Sequence, residues 1–528
     1  MIKQISNRTF IALTLSAILS GARTLGAQER VPVTAPSGAC AALKTLRLPD
    51  VRLTEVVDAP DSFDHGDPTR TPHCRVTGVI SKEILFVATL PNTWNQRLLM
   101  AGNGGFAGSV NVGVARNATN GYLTVSTNTG HADPADGTGA KWALDNPERQ
   151  INYAFLGVHR TAEVAKVLAK AFYGSEPRYS YFNGCSNGGR QALMEVQRYP
   201  EDFDGVIAGA PAIPFTSIFA SFARNLRAAY PTPAYFTKPV VTKANLDLLA
   251  AHVLEACDGI DGVKDGVLGD PRDCKFKLAS LPSCPSEMAA ATCLTGAQRR
   301  AIEVIYSPLT DAQGRVIYPG QPLGGENLDG GWASWIVGSD STSMHDLRYP
   351  SAQPFFAIEG SRYILFNDST WDYTRYRGDL YKEARRIAAM YDADDPDISK
   401  FGARKAKLIL WHGWADPALN PLETVKYYEQ VLAKSANARN YVRLFMEPGV
   451  LHCAGGNGPS NAPWLPTIVD WVEKGVAPEQ IVATKQASSG KVAVSRPLCA
   501  YPKRAVYKGS GSTDEASNFV CGEPRMPE

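Results

Sequence analysis

The sequence has almost no net charge for its length, since 54 lysines and arginines oppose 52 aspartates and glutamates in 528 residues. It therefore lacks the basic surface that nucleic-acid or anionic-membrane binding requires. It has no C-x-x-C pair, which gives no support to a zinc ribbon or a thioredoxin-like site. It also has no internal repeat and, after the N-terminus, no apolar run long enough to span a bilayer. With 44% hydrophobic residues, these absences leave an ordinary globular protein of two or three domains.

The N-terminal residues have the pattern of a secretory signal peptide. Residues 1–27 contain basic but no acidic residues, an apolar run from Phe10 to Leu19, and small residues up to Ala27. The run is shorter than the roughly 20 residues that cross a bilayer, which argues against a membrane anchor. We expect cleavage near Ala27 and a secreted or periplasmic protein. In such a protein an even number of cysteines, here 10, indicates disulfides rather than free thiols.

From about residue 83 the sequence alternates β-rich and helical patterns, which predicts a parallel sheet flanked by helices. The segments RLLMAGNGG, RYSYFNG and DGVIAGAP are typical of strands, and HRTAEVAKVLAKAF has the apolar spacing of a helix. The alternation stops at about residue 214 and returns after 395, and the residues between are rich in turn formers. We predict an α/β core, residues 28–213 and 396–528, interrupted by an inserted domain, residues 214–395.

A G-x-S-x-G motif, residues 184–188, lies between the predicted strand RYSYFNG and a predicted helix. This is the context of a nucleophile elbow, a tight turn that exposes a serine hydroxyl at the end of a strand. Serine is a poor nucleophile near neutral pH, so Ser186 needs a neighbouring base to take its proton. The alternative is a glycine-rich helix start in which Ser186 only caps the helix.

The two other members of a catalytic triad follow in the order that such folds use, acid and then histidine. Asp416 comes after KLILWHGW, and His452 comes after YVRLFMEPG. Asp416 would orient the imidazole, and His452 would carry the proton from Ser186 to a leaving alcohol. Taken singly, Asp416 could cap a loop and His452 could be an ordinary surface histidine, but their order and placement favour the triad.

Two cysteines are direct neighbours of these residues, Cys185 before the predicted nucleophile and Cys453 after the predicted base. If Ser186 and His452 approach to hydrogen-bond distance, their neighbours come within reach of a disulfide that ties the two turns together. The alternative is two unrelated half-cystines.

An oxyanion hole needs backbone N–H groups near the nucleophile, one directly after it and one from an earlier loop. Asn187 supplies the first, and Gly104 or Gly105 in the segment G-N-G-G supplies the second. The same segment is also compatible with a plain turn.

Five aspartates lie on a glycine-rich segment between Cys257 and Cys274. Clustered carboxylates suit a hard cation with about six to eight oxygen ligands, and therefore calcium rather than zinc. The spacing is not that of an EF-hand, and a solvated acidic turn is the alternative. The aspartates are Asp258, Asp261, Asp265, Asp270 and Asp273.

The set Cys185-Ser186, Asp416 and His452-Cys453 resembles the tannase and feruloyl esterase family. The resemblance covers nearly the whole mature chain and implies an α/β-hydrolase core with a large calcium-binding lid inserted between nucleophile and acid. It implies that calcium is structural and lies in the lid, away from the triad. The implied ligands are Asp258, Asp261 and Asp265 with the carbonyls of Val263 and Val267. The other disulfides that it implies are Cys40–Cys74, Cys257–Cys274, Cys284–Cys293 and Cys499–Cys521.

We expect the lid to cover the triad and to supply an aromatic pocket for the acyl part of the substrate. The candidate lid aromatics are Trp332, Trp335, Tyr363, Phe366 and Trp371. His412 and Leu419 match positions that border the pocket in relatives. Arg348 and Arg362 are candidates for a bidentate contact with a substrate carboxylate. The alternative for each is an ordinary core aromatic or a solvated arginine.

These features predict a secreted serine carboxylic ester hydrolase. Its substrates would be small-molecule esters of aromatic acids, of the feruloyl or galloyl type, cleaved through an acyl-enzyme. An alternative within the family is hydrolysis of mono(2-hydroxyethyl) terephthalate, with a lid arginine on the free carboxylate. An alternative of another class is a calcium-dependent binding protein on a hydrolase scaffold with an idle triad. A peptidase fits less well, because the insertion shows no propeller repeats.

Overall fold

The computed structural model describes residues 32–59, 68–132, 139–231, 239–286, 288, 290–338, 349–376 and 378–523. The predicted signal peptide and Arg348 lie outside these ranges. Among the described residues, no helix is both long enough and apolar enough to cross a membrane.

Nine strands of the described chain form one central sheet. All seventeen strands of the described chain, including the eight that lie outside this sheet, are, in chain order, β1 Val33–Thr34, β2 Val51–Ala59, β3 His73–Ile80, β4 Ile84–Pro91, β5 Thr93–Trp94, β6 Arg97–Ala101, β7 Leu123–Thr127, β8 Tyr179–Cys185, β9 Gly205–Gly209, β10 Leu309–Thr310, β11 Val316–Tyr318, β12 Lys407–Gly413, β13 Val442–Glu447, β14 Gln480–Gln486, β15 Val492–Cys499, β16 Arg504–Tyr507 and β17 Phe519–Gly522. The spatial order of the sheet is β13, β12, β9, β8, β6, β7, β4, β3 and β2.

The sheet is mixed. The strands from β13 to β7 in that spatial order run parallel, which confirms the predicted α/β fold for this half. The strands β4, β3 and β2 add an antiparallel arm, which the sequence analysis missed. Cys185 and Trp411 both pair with Gly209, so β8, β9 and β12 end at one level. The turns that follow β8 and β12 therefore lie at the same edge of the sheet.

Helices cover the parallel half and are the main regular structure of the segment between β9 and β12. The α-helices are, in chain order, α1 Ala39–Leu43, α2 Pro147–Ile151, α3 Gly157–Tyr173, α4 Asn187–Arg198, α5 Phe215–Ala229, α6 Lys243–Cys257, α7 Gly296–Tyr306, α8 Ala352–Glu359, α9 Leu380–Ala384, α10 Ala388–Tyr391, α11 Ser399–Ala403, α12 Pro421–Lys434 and α13 Trp464–Lys474. Short π-helical segments are Asn152–Leu156, Ala333–Val337 and Gly360–Leu365.

The central strands are apolar on both faces because helices pack against each side of the sheet. In β12, Leu408 and Leu410 join the apolar cluster on one face. Ile409 and Trp411 join the cluster on the other face, together with Trp471 of α13. A continuous apolar run is the pattern expected for such a doubly covered strand.

The residues from 214 to 395, here called the insertion, add no strand to the central sheet within the described ranges. They form helices α5 to α10 and the separate hairpin β10–β11 around an aromatic-rich cluster of their own. That cluster also includes Phe106, Tyr153 and Leu419 from the flanking segments. The insertion therefore packs directly against segments that follow the strands of the parallel half.

Five disulfides join the ten cysteines, and none is free. The pairs are Cys40–Cys74, Cys185–Cys453, Cys257–Cys274, Cys284–Cys293 and Cys499–Cys521. They are the Cys185–Cys453 pair predicted from the neighbours of Ser186 and His452 and the four pairs that the resemblance implied.

Candidate active site

Ser186 lies on a tight turn between β8 and α4, with a φ of 65°. Its side chain makes no capping hydrogen bond to the helix, so the alternative that it only caps α4 is wrong. The glycines of the motif allow the close approach of strand and helix, because a Cβ on Gly184 would lie 2.5 Å from the carbonyl oxygen of Gly188. This backbone presents the serine at the carboxyl end of the strand, as a nucleophile elbow does.

Asp416 and His452, on the turns after β12 and β13, form a direct hydrogen bond. The Nδ1 of His452 lies 2.7 Å from Oδ2 of Asp416 and donates to it, which leaves Nε2 to act as a base. The other carboxylate oxygen, Oδ1, accepts from the backbone N–H of Ala418 at 2.7 Å and of Leu419 at 3.0 Å. These contacts fix both the tautomer and the orientation of the imidazole.

The carboxylate of Asp416 is completely buried. Burial alone would raise its pKa, but the charge of His452 and the hydrogen bonds from His412 and His452 outweigh it, so the pKa of Asp416 lies well below its ordinary value. Asp416 is therefore ionised near neutral pH. In that state it stabilises the positive charge that an imidazole gains when it takes a proton.

His412, which was predicted to border the substrate pocket, is instead completely buried next to Asp416. Its Nε2 lies 3.1 Å from Oδ2 of Asp416 and 3.0 Å from the carbonyl oxygen of Leu419, so it donates to acceptors only. Its Nδ1 lies 2.7 Å from the hydroxyl of Thr424. The pocket assignment is wrong because residue 412 belongs to β12, which is buried on both faces. His412 holds the carboxylate of Asp416 in place and does not line the cavity.

Ser186 and His452 line the same cavity, and the disulfide Cys185–Cys453 joins the residues next to them. Its Cα atoms are 6.0 Å apart, so the two catalytic turns are fixed close together. The alternative of two unrelated half-cystines is therefore wrong. The hydroxyl of Ser186 and the imidazole of His452 are not hydrogen-bonded in this structure, a contact that commonly tightens only when substrate binds.

The double variant Cys185→Ala, Cys453→Ala is expected to lose more activity than stability. The disulfide closes a loop of 268 residues, and its loss lowers the free energy of unfolding by about 5 kcal/mol if only chain entropy is counted. For a chain of this size that loss lowers Tm by only about 5 °C. A displacement of about 1 Å between nucleophile and base lowers kcat by around 10²-fold. Melting curves and esterase kinetics measure both effects. The matched control removes Cys499–Cys521 and should leave kcat unchanged; an equal fall in kcat there would contradict a local role.

Two of the residues predicted for the oxyanion hole meet at the same cavity. Gly105 and Asn187 line the cavity, whereas Gly104 is exposed and does not, so Gly105 is the better placed of the two glycines. The hydroxyl of Tyr153 lies 3.0 Å from the carbonyl oxygen of Gly105 and 3.1 Å from Oδ1 of Asn187. The N–H of Asn187 opens helix α4 and so has no partner within the helix. Both backbone donors are thereby held on one rigid unit.

A buried arginine that the sequence analysis missed supports this unit. Arg190 is completely buried, and its Nε donates to Oδ1 of Asn187 at 2.8 Å. Its two terminal nitrogens donate to the carbonyl oxygens of Ala154 at 2.9 Å and Tyr153 at 3.1 Å. Burial lowers the pKa of Arg190. No sequence signal identified it, because an arginine in an amphipathic helix is usually solvated.

Apolar side chains line the cavity next to Ser186 and His452, which has a volume of about 420 Å³ including its open mouth. Of the predicted pocket residues, Trp335 and Leu419 line it, and the ring of Trp335 meets that of His452 edge-on at 4.9 Å. The lining residues that the sequence analysis missed are Phe106, Ala212, Phe215, Ile218, Phe219, Phe222 and Phe356. Four of them repeat on α5 at the spacing of one helix face, a signal that the sequence did contain.

The remaining predicted pocket residues with described positions lie away from this cavity. Trp332 is buried against Tyr306, with ring centroids 5.0 Å apart. Phe366 stacks on Trp371 at 5.2 Å, and the Nε of Arg362 donates to the carbonyl oxygen of Trp371 at 2.9 Å. The assignment of Trp332, Phe366 and Arg362 to the cavity is wrong because each packs within the insertion.

The family profile for tannase and feruloyl esterase matches residues 69–522. The chain belongs to the tannase and feruloyl esterase family. Feruloyl esterase B of Aspergillus niger is 32% identical over 474 residues, which cover 85% of this chain and 86% of that protein. Mono(2-hydroxyethyl) terephthalate hydrolase of Piscinibacter sakaiensis is 29% identical over 86% of this chain and 85% of that protein. The crystal structure of feruloyl esterase B from Aspergillus oryzae has a TM-score of 0.81 at 28% identity and covers 92% of this chain and 99% of that one.

This member of the tannase and feruloyl esterase family is a carboxylic ester hydrolase with a mixed central sheet. Esterases of this kind act on small-molecule esters. The cavity lined by Ser186 and His452 is therefore the candidate active site.

The aspartate loop, residues 258–273, is folded around its own carboxylates. Oδ1 of Asp258 accepts from three backbone N–H groups, the closest that of Gly266 at 2.9 Å, and Oδ1 of Asp261 accepts from one at 3.0 Å. The second oxygens of these two carboxylates accept no hydrogen bond within the described part of the chain. Burial raises the pKa of Asp261 to about 6, and the charges of Asp265 and Asp258 add to that effect. Such facing carboxylates fit a hard divalent cation.

Arginines neutralise the other aspartates of the loop. Asp270 pairs with Arg272 and Asp273 with Arg504, and neither was among the implied ligands. Asp265 accepts from Arg496 at 2.6 Å through Oδ2. Of the three implied carboxylate ligands, Asp258 and Asp261 have no arginine partner among the described residues, whereas Asp265 shares its carboxylate with Arg496.

The aspartate loop also contacts the segment that follows the catalytic base. The side-chain amide of Asn457, five residues after His452, donates to the carbonyl oxygen of Gly266 at 3.2 Å. A Cβ on Gly449, three residues before His452, would lie 2.8 Å from a methyl group of Val267, so the backbone that leads into His452 also lies directly on the loop. The expectation that the loop lies apart from the triad therefore needs correction. The carboxyl ends of β12 and β13, where the triad turns begin, face the insertion.

Proposed function

We propose that the protein is an exported serine esterase that hydrolyses esters of aromatic acids, of the feruloyl or galloyl type, through an acyl-enzyme. The observation that carries this proposal is the buried hydrogen bond of 2.7 Å between Asp416 and His452, next to Ser186 and an aromatic-lined cavity. Family membership supports the reaction class. The similarity to feruloyl esterase B of Aspergillus niger supports the feruloyl type.

The proposed reaction begins with proton transfer from Ser186 to Nε2 of His452. Nε2 is the available base because Nδ1 donates to Asp416. The serine oxygen attacks the ester carbonyl carbon, the bond from that carbon to the alcohol oxygen breaks, and the alcohol leaves with the proton from Nε2. Water then attacks the acyl-enzyme by the same proton route, which releases the free aromatic acid and restores Ser186.

The negative oxygen of each tetrahedral intermediate would accept hydrogen bonds from the N–H groups of Asn187 and Gly105. Both residues line the cavity, and Tyr153 and Arg190 hold them through the contacts described above. Donors that are already in place stabilise the charge without reorganising during the reaction.

The lining of the cavity supports an aromatic acyl group over a charged one. Apart from His452, every described lining side chain is uncharged, and five of them are phenylalanines. Arg362, which was predicted to grip a free carboxylate, donates to a backbone carbonyl within the insertion instead. Hydrolysis of mono(2-hydroxyethyl) terephthalate is therefore the second choice.

A panel of methyl ferulate, methyl gallate and mono(2-hydroxyethyl) terephthalate tests this proposal. We expect kcat/KM to be highest for one of the two methyl esters. Preference for the terephthalate would contradict the proposed specificity, and no turnover of any ester, including a chromogenic aryl acetate, would favour the idle binding protein. Covalent trapping of the acyl group on Ser186, detected by peptide mass spectrometry, tests the mechanism separately.

We propose further that the aspartate loop binds calcium through Asp258, Asp261, Asp265 and the carbonyls of Val263 and Val267, and that the insertion acts as a lid. The unpaired second oxygens of Asp258 and Asp261 support the first part. The cavity residues that α5 contributes support the second. A bound cation would supply positive charge between carboxylates that otherwise repel one another, and it would not touch the ester.

Chelation of calcium is expected to lower Tm, and added calcium should restore it. A ligand that binds only the folded state stabilises it by about 2.7 kcal/mol at a hundredfold excess over Kd. Because the loop contacts the segment after His452, chelation should also lower kcat. Asp261→Asn should imitate chelation, whereas Asp311→Asn, in an exposed turn, should not. If elemental analysis found no calcium and a chelator did not change Tm, the loop would be a solvated acidic turn and not a calcium site.

Export is proposed from the N-terminal pattern, and the five disulfides support an oxidising compartment. Mass spectrometry of the N-terminal peptide of the exported protein should place the cleavage near Ala27. An intact N-terminus on protein recovered from the medium or periplasm would contradict it.

A further inference from the structure

A cluster of three ionisable side chains lies apart from the cavity described above. His159 of α3, Glu195 near the end of α4 and Asp202 in the following turn each offer a donor atom, and these atoms all lie within 4.8 Å of one another. Glu195 is about 13 Å along α4 from Ser186, at 1.5 Å per residue. The cluster therefore does not belong to the catalytic site.

Glu195 is the unusual member of the cluster. It is 1% exposed, and neither of its carboxylate oxygens has a hydrogen-bond donor within the described residues. Its carboxylate faces that of Asp202, and burial together with that negative charge raises the pKa of Glu195 well above its ordinary value. A buried carboxylate without a donor is costly, so the pair needs either a shared proton or a cation.

His159 completes the donor set with a nitrogen. Its Nδ1 lies 2.6 Å from Oδ2 of Asp202, and its ring stacks on Tyr199 at 3.8 Å with the planes 7° apart. The stacking fixes the plane of the imidazole toward the two acids. The nearest ammonium, that of Lys166, lies 3.6 Å from Oδ1 of Asp202 and makes no hydrogen bond to Glu195. The carboxylate of Glu195 is therefore not neutralised by an ion pair with Lys166.

We propose that His159, Glu195 and Asp202 form a binding site for a divalent transition-metal ion, of which zinc is the natural probe. One imidazole and two carboxylates suit zinc, whereas calcium and magnesium prefer oxygen donors alone. Zinc holds its ligands at about 2.0–2.2 Å, which places them about 3.4 Å from one another in a tetrahedron. The observed donors reach that arrangement with small side-chain movements, and water takes the fourth position beside the partly exposed His159.

Metal binding at this cluster would join two helices of the core. The ion replaces the proton between Glu195 and Asp202 and displaces the proton on the ligating nitrogen of His159, releasing both to solvent. The ion thereby links α3 to the C-terminal end of α4, the helix that begins directly after Ser186. The expected consequence is higher stability without participation in ester cleavage.

Zinc titration of the full-length mature protein, stripped of metal and then saturated with calcium, tests the site. Calorimetry should give one zinc per chain, with a rise in Tm. Cobalt, used as a spectroscopic substitute, should give visible absorption bands of a nitrogen- and oxygen-ligated ion. Glu195→Gln and His159→Gln should each weaken zinc binding at least tenfold. The control His252→Gln changes a partly exposed histidine that pairs with Glu255 at 3.5 Å, and it should leave binding unchanged.

Two results would overturn the proposal. One is the absence of saturable zinc binding and of any rise in Tm in the wild-type protein. The other is equal zinc affinity in the wild type and in Glu195→Gln, which would place the metal elsewhere. If the acids only share a proton, Glu195→Gln should be as stable as the metal-free wild type and zinc should have no effect. Should Glu195→Gln fail to fold, His159→Gln, at the partly exposed rim, carries the test alone.

Discussion

Replacing Ser186 by alanine is expected to lower kcat by about 10⁶-fold with little change in Tm. Loss of the nucleophile of a triad removes the acyl-enzyme route altogether, and effects of about this size follow. Stability should be retained because the serine side chain makes no capping hydrogen bond to α4 and alanine keeps the same Cβ on the strained turn. Hydrolysis of methyl ferulate and a thermal melt of the same preparation measure the two quantities.

The matched control for this variant is Ser280→Ala, at an exposed serine that bonds only a neighbouring backbone carbonyl. It should keep the kcat of the wild type. Wild-type protein mixed with a slowly hydrolysed aryl ester should gain the mass of one acyl group, and the Ser186→Ala variant should not. A purified variant that retained more than a few per cent of the activity, with contamination excluded, would show that Ser186 is not the nucleophile.

The candidate triad could be proposed from the sequence because the turns that carry it leave local patterns there. The turn at Ser186 tolerates only small neighbours, which produces a glycine-flanked serine between strand and helix. Asp416 and His452 each follow an apolar run typical of a strand buried on both faces. Parallel strands end at one edge, so three residues distant in sequence were expected to meet.

The substrate cavity was predicted less well, because its lining depends on how the insertion packs on the core. Trp332 and Trp335 are three residues apart on one short segment, yet only Trp335 reaches the cavity. Nothing local distinguishes an aromatic that faces a cavity from one that fills a core. The apolar spacing on α5 indicates a buried helix face, but the sequence did not indicate what that face covers.

Of the buried polar residues around the triad, Arg190 was missed and His412 was assigned to the pocket, for a related reason. His412 and Arg190 are held by partners that the fold brings to them, and each replaces water by specific hydrogen bonds. Such residues break the apolar pattern without forming a motif. They are recognised only when their burial and their partners are both known.

Replacing Asp416 by asparagine is expected to lower kcat by about 10⁴-fold. In the wild type both oxygens of this carboxylate act only as hydrogen-bond acceptors. Oδ1 accepts from two backbone N–H groups, and Oδ2 accepts from the imidazoles of His412 and His452. An amide has only one acceptor oxygen. Whichever way it turns, its NH₂ group faces donors, so either the loop or the imidazole loses its partner. His452 then no longer keeps the tautomer that leaves Nε2 free.

The same substitution should change the acid dependence of stability in a defined direction. The pKa of Asp416 is lowered in the folded state, so its contribution is complete above the unfolded value of about 3.9 and is lost as pH falls toward the lower folded value. Tm of the wild type should therefore fall more steeply below about pH 4 than Tm of Asp416→Asn. Asp397→Asn serves as the control for kcat, because the carboxylate of Asp397 is exposed and accepts hydrogen bonds only from the backbone and hydroxyl of Ser399. If Asp416→Asn lowered Tm but kept kcat within about tenfold of the wild type, Asp416 would support the loop without orienting the base, and the assignment of the catalytic acid would fail.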